Sequence, residues 1–155
     1  MKAAIVGIGN SFRGDDGVGP ALIEALKQEA DIVDKNELLI LRGELTEILD
    51  LFSRFDELTI VDAGLISNSC VGEFLYLNPL LEEIPKAFSQ ASTHSFGLRE
   101  AIEMGRILDL LPKKLNLIIV NGGTFETGSC ELSAELTKSI NLIVQNFKKE
   151  ILSYA

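Results

Sequence analysis

The sequence predicts a three-layer α/β/α domain on a twisted, mostly parallel mixed sheet of about five strands. Three observations carry that expectation. Nearly continuous apolar runs end in glycine-rich turns, the pattern of strands buried on both faces. Segments with apolar residues at helical spacing alternate with them. One alternating segment follows its predecessor too closely for a helical crossover, so it pairs antiparallel at an edge.

In order along the chain, "KAAIVGIG" (Lys2 to Gly9) reads as the first buried strand. Val18, Leu22, Ala25 and Leu26 then keep helical spacing. Pro20 suits a first helical turn, where its missing N–H has no partner to lose, and this helix is expected to run to about Ala30. "ELLILRG" (Glu37 to Gly43) is a second strand, "LTEILDLF" a second helix, and "ELTIVDAG" (Glu57 to Gly64) a third strand closing on Asp62 and a glycine. "VGEFLYLN" (Val71 to Asn78) is the alternating edge strand. Leu98, Ala101, Ile102 and Leu108 mark a helix stopped by Pro112. "LNLIIVNGG" (Leu115 to Gly123) is the last buried strand, and Leu132 to Leu152 a long amphipathic closing helix.

A chain of 155 residues fits one domain over its whole length, 1–155, and buries a core without disulfides or a structural metal. No stretch approaches the ~18 uninterrupted apolar residues of a membrane span, so a cytoplasmic protein is expected. The net charge of −9 repels phosphate, which argues against nucleic-acid or anionic-membrane binding and favours a protein or cationic partner. Cys70 and Cys130 stand 60 positions apart, neither a disulfide framework nor a zinc spacing. Both are expected as reduced thiols.

The turn after the first strand, "GIGNSFRGDDGVGP" (Gly7 to Pro20), invites comparison with phosphate-binding loops. The dinucleotide fingerprint requires glycine where Phe12 stands, and the P-loop requires Lys followed by Ser or Thr where Asp15 and Asp16 stand. Both templates fail, and the charge has the wrong sign for phosphate. Helix capping accounts for one aspartate more easily than for two. Asp62, at the end of a buried strand, reads equally as a turn residue. His94, the single histidine, precedes a helix in "STHSFGL" and on its own reads most simply as a hydrogen-bonded surface residue. Strand-end carboxylates open on the edge where α/β sheets bind ligands. If His94 reaches that edge, it completes with Asp16 and Asp62 a set suited to Ni²⁺ or Zn²⁺. Nucleophilic catalysis finds little support: there is no G-x-S-x-G elbow, no H-E-x-x-H, and no local signature around either thiol.

Taken together, "GIGNSFRGDDGVG", "IVDAG" and "STHSFGL" resemble, in that order, the motifs of the hydrogenase maturation proteases. The later "ETGSCELS" (Glu126 to Ser133) also fits. These endopeptidases trim the C-terminal tail from the precursor of the [NiFe]-hydrogenase large subunit. The resemblance implies a phosphorylase/hydrolase-like fold and a metal site of Asp16, Asp62 and His94. It implies that nickel enters as part of the substrate, already seated in the precursor, with zinc or cadmium able to occupy the same ligands. The implied activity is of the aspartyl type, with Asp16 or Asp62 as base for a water attacking a metal-positioned carbonyl. The implied partner is the large-subunit precursor, met by a monomer. The other functional class is a non-catalytic metal-binding or maturation chaperone module on the same fold. Two turns depart from the family pattern: Leu41-Arg42-Gly43-Glu44 stands where relatives often carry Asp-Gly-Gly-Thr, and Asn121-Gly122-Gly123-Thr124 where they often carry Gly-Ile-x-Pro.

Overall fold

In the computed structural model, residues 2–66, 68–84, 88–90, 97–125, 128 and 131–153 are described, with backbone alone for 88–90 and 150–153. The elements run β1 (Ala3–Ile8), a 3-10 turn (Gly14–Gly17), α1 (Val18–Leu26), α2 (Ala30–Lys35), β2 (Glu37–Leu41), α3 (Leu45–Arg54) and β3 (Glu57–Ile66). They continue with β4 (Phe74–Leu77), β5 (Phe88–Gln90), α4 (Leu98–Ile107), β6 (Lys114–Asn121) and α5 (Ala134–Ser153). The sheet order is β2-β1-β3-β6-β4, with β5 added alongside β3. β1, β2, β3 and β6 pair in parallel, whereas β4 pairs antiparallel with β6 at the edge, as its alternation predicts.

Strand residues alternate between two buried layers because successive side chains of a strand face opposite ways. Val6, Leu58, Ile60, Leu117 and Ile119 pack with Ile48, Leu51 and Phe52 of α3 and Leu98 and Ile102 of α4. Ile5, Val61, Ile118 and Val120 pack with Leu22 and Ile23 of α1, Ile32 of α2 and Leu136 and Ile143 of α5. These are the three layers expected. Among the described residues no helix is long and apolar enough to cross a membrane.

The first helix does not reach Ala30. It ends at Leu26, the polar run Lys27-Gln28-Glu29 turns the chain, and the short α2 buries Ile32. α4 likewise stops at Ile107, before Pro112: Asp109 takes a φ of 57° and Leu110 N–H returns to the Gly105 carbonyl at 2.8 Å, a left-handed C-terminal cap.

The chief departure is β3, which does not close on Asp62 but continues to Ile66. Its pairing with β1 ends at Gly7↔Val61, and its pairing with β6 continues to Gly64↔Asn121. Beyond β1, Gly64, Leu65 and Ile66 pair with Gln90, Ser89 and Phe88 of β5. Since β6 occupies one edge of Gly64, β5 lies on the edge β1 has vacated. Three strand residues carry no periodic signal of their own, so β5 is invisible in the sequence.

The chain leaves β1 toward β2 on one side while β3 lies on the other, so the strand order reverses between β1 and β3. Open α/β sheets bind ligands in the crevice this reversal leaves at the carboxyl ends of the strands. The Gly9–Gly17 turn leaves β1 there, and Asp62 is the first β3 residue past the β1 ladder.

Candidate functional site

Close backbone packing builds the turn. α1 starts directly against β1: a Cβ at Gly19 would lie 2.5 Å from the Ile8 carbonyl oxygen, and one at Gly7 would strike the Gly19 carbonyl. The Asp16 carbonyl in turn occupies the place a Cβ would take at Gly9, whose φ is 151°. The glycines therefore bring the 3-10 turn down onto the end of β1, which places Asp16 at the switch point. They serve packing rather than a phosphate.

Asp16 is only 3% exposed, and its Oδ2 accepts the Asn10 N–H at 3.0 Å. Asn10 Oδ1 accepts the Phe12 N–H at 2.9 Å, and the Arg13 N–H returns to the Asn10 carbonyl at 3.1 Å. Arg13 Nη1 stands 3.9 Å from Asp16 Oδ2, a long ion pair that partly offsets the carboxylate charge. The N-cap position of α1 is Gly17, which makes no side-chain cap bond. Asp62 is 5% exposed and shares strand parity with Leu58 and Ile60, on the sheet face covered by α3 and α4.

Asp15, adjacent to Asp16 and fully buried, has a different task. Its Oδ2 accepts the N–H groups of Gly123 at 2.7 Å and Thr124 at 3.1 Å and the Ser133 hydroxyl at 3.0 Å, while Oδ1 accepts the Ser133 N–H at 2.8 Å. The Asp15 N–H donates to the Thr124 carbonyl at 2.7 Å. One carboxylate thus joins the opening turn to both ends of the segment between β6 and α5, and the Gly128 N–H adds a bond to the Phe12 carbonyl at 2.7 Å. Buried Asn121 does similar work at the end of β6. Its Oδ1 accepts the Ile66 N–H at 2.8 Å, and its Nδ2 donates to the carbonyls of Ser69 at 3.1 Å and Cys70 at 3.0 Å.

Sequence reasoning gave neither Asp15 nor Asn121 a role. The doubled aspartate was the available signal for the first, and the unusual Asn121-Gly122-Gly123-Thr124 turn for the second.

Asp16 and Asp62 thus stand at the same switch point. His94 lies outside the described residues, as does Cys130; Cys70 is an exposed free thiol. Among the described residues no three metal-ligating side chains form a cluster. Beside the turn, a cleft of about 670 Å³ runs from Gly14 and Gly17 past Phe12 and Ala21 to Ile40 and Arg42. The two carboxylates are not among its lining residues.

A model of the hydrogenase maturation proteases matches residues 20–150. The chain belongs to that family. The matched span includes Asp62 and His94, and begins just after the opening turn. The chain is 27% identical over 154 residues to the Hydrogenase 2 maturation protease of Escherichia coli K12, covering 99% of this chain and 90% of that protein. Its fold matches that of the E. coli hydrogenase maturating endopeptidase HybD with a TM-score of 0.77, at 23% identity, over 100% of this chain and 94% of the other. It also matches the [NiFe] hydrogenase maturation protease HycI of Thermococcus kodakarensis with a TM-score of 0.72, at 25% identity, over 98% and 92% of the two chains. This hydrogenase maturation protease is accordingly an endopeptidase, and the absence of a phosphate-binding charge pattern in its opening turn accords with that class.

Proposed function

We propose that this protease removes the C-terminal extension of a [NiFe]-hydrogenase large-subunit precursor, and that Asp16, Asp62 and His94 together read the nickel already seated in that substrate. The observation that supports the reading is that Asp16, in the turn that leaves β1, and Asp62, the first β3 residue past the β1 ladder, are both buried carboxylates at the switch point between those strands. The backbone on either side of His94 supports its inclusion. Gln90 pairs with Gly64, two residues past Asp62, and a four-residue span reaches at most about 14 Å. Gly97, on the other side, opens α4, which covers the sheet face to which Asp62 belongs.

In this reading the carboxylates offer anionic oxygen to a cation, and the imidazole adds a nitrogen ligand suited to nickel. Holding the substrate's metal fixes the adjoining peptide against the same carboxylates. Asp16 or Asp62 then takes a proton from a water as it attacks the scissile carbonyl and passes it to the scissile nitrogen, so that the C–N bond breaks and the tail leaves as an amine.

The test is cleavage of nickel-loaded and nickel-free precursor by the wild type and by Asp16→Asn, Asp62→Asn and His94→Ala. Shortening of the loaded precursor alone, by the wild type alone, is the expected result. In parallel, Ni²⁺, Zn²⁺ or Cd²⁺ raises the melting temperature of the wild type and not of the three variants, since a ligand stabilises the state that holds its site. Equal cleavage of both precursors shows that nickel is not read, and binding without shortening favours a chaperone role.

A further inference from the structure

Cutting a peptide bond requires holding the chain on at least one side of it, and the edge of the sheet beside the switch point is built for that. β2 ends the sheet, with β1 on one side and no strand among the described residues on the other. The Leu41 carbonyl accepts the Gly9 N–H at 3.1 Å, so Leu41 turns its main-chain groups toward β1. Main-chain direction alternates along a strand, so the N–H and C=O of Leu38 and Ile40 point outward. The Ile40 side chain is exposed, and it lines the cleft that continues to Gly14 and Gly17 on either side of the aspartate pair. Phe12, also largely exposed, and Ala21 of α1 line the same cleft.

We infer that the outer edge of β2 at Ile40 holds a segment of the precursor beside the scissile bond as an added strand. Main-chain hydrogen bonds to Ile40 supply the affinity, and an apolar side chain of the substrate sits between Ile40, Phe12 and Ala21. An unpaired edge strand is a ready template for an extended peptide, and alternate side chains of that peptide fall into the cleft. The occupant is the extended tail region because the cleft is continuous with the turn that carries the carboxylates, and because an outward N–H and C=O match a peptide backbone. The inference rests on the proposed trimming of the precursor's C-terminal extension, and extends that reading from the metal to the peptide.

The deciding variant is Ile40→Pro. Proline is tolerated on an edge strand where the lost N–H faces outward, and the preceding residue is already extended. Ile40→Val keeps the N–H and the branched apolar side chain. Ala21→Tyr fills the cleft from α1 and leaves the β2 main chain unaltered, and serves if the proline variant fails to fold. Circular dichroism and melting establish folding for each. Cleavage kinetics use nickel-loaded precursor, and affinity is measured separately with a synthetic peptide spanning the precursor's C-terminal cleavage region.

Losing the outward bond is expected to raise KM and weaken peptide affinity on the order of tenfold, with kcat within about twofold of wild type. Ala21→Tyr is expected to act in the same direction, and Ile40→Val, which keeps the outward N–H, to lose less affinity than Ile40→Pro. Folded Ile40→Pro or Ala21→Tyr with unchanged KM and unchanged peptide affinity overturns the inference. A wild type that does not shorten the precursor overturns the proposed trimming reaction instead, and the peptide affinities then decide the cleft by themselves.

Discussion

Asp15 holds Ser133 twice, accepting its N–H at 2.8 Å and its hydroxyl at 3.0 Å, although 118 positions separate them in sequence. Ser133 immediately precedes α5, and its carbonyl accepts the N–H groups of Leu136 and Thr137. The first turn of the chain and the start of its last helix are therefore one unit, joined through a buried carboxylate that also holds Gly123 and Thr124. The neighbouring Asp16 inherits its position from that unit.

Replacing Asp15 with alanine leaves three backbone N–H groups and a hydroxyl without their acceptor, and is expected to cost roughly 3 kcal/mol or more. Asp15→Asn keeps one acceptor oxygen and costs less, and Ser133→Ala removes a single bond at about 1 kcal/mol. Urea denaturation of the three variants checks that order. Equal midpoints for Asp15→Ala and the wild type would show that the hydrogen bonds do not hold the turn.

Asp16 calls for a finer pair of substitutions, because it is buried and bonded rather than standing on an open edge. Asp16→Ala strands the Asn10 N–H and removes the long ion pair with Arg13, for a stability loss of about 1–3 kcal/mol. Asp16→Asn keeps an oxygen for Asn10 and is expected to melt within a few degrees of the wild type while losing cleavage. Melting and cleavage measured on the same preparations separate the two effects. Retained cleavage by Asp16→Asn would remove this carboxylate from the chemistry.

The long regular elements were legible because burial on both sheet faces leaves continuous apolar runs, as in β1 and β6, and a half-covered edge leaves the alternation of β4. The end of β3 was not: Asp62-Ala63-Gly64 reads as a strand terminus, and only pairing with β5 and β6 carries the strand to Ile66. At the switch point, Asp16 was legible as a carboxylate following a buried strand, whereas Asp62, which reads as a strand end, lies inside β3. The division of labour between Asp15 and Asp16 was not, because it depends on Gly123, Thr124 and Ser133, contacts that no local pattern encodes.

Cysteine chemistry gives a clean exclusion. Cys70 is exposed, on the segment whose carbonyls Asn121 gathers, and Cys70→Ser is expected to leave both melting temperature and cleavage unchanged. Cys130→Ser is expected to leave cleavage intact as well, since neither thiol has an activating sequence around it. Peptidase assays of both variants check this. Loss of cleavage in a folded variant would favour a thiol nucleophile over a water held by carboxylates.

Gly9 offers the sharpest test of how the turn positions Asp16. A methyl group added there meets the Asp16 carbonyl oxygen and also suffers a φ of 151°, so Gly9→Ala combines a collision with backbone strain. Gly128 separates the two, because its φ is 96° but among the described residues nothing beyond its chain neighbours lies within 4 Å of its added Cβ. Strain alone costs on the order of 1–3 kcal/mol, so Gly128→Ala is expected to lose stability within that range and keep its cleavage. Gly9→Ala must also push the Asp16 backbone away from the end of β1. It is expected to lose more stability than Gly128→Ala, and to lose cleavage and the metal-induced rise in melting temperature even where it remains folded. Urea denaturation, metal melting scans and cleavage of loaded precursor, run on both variants, compare them directly. If folded Gly9→Ala cuts as well as Gly128→Ala, the position of Asp16 does not depend on the close approach of the turn to β1.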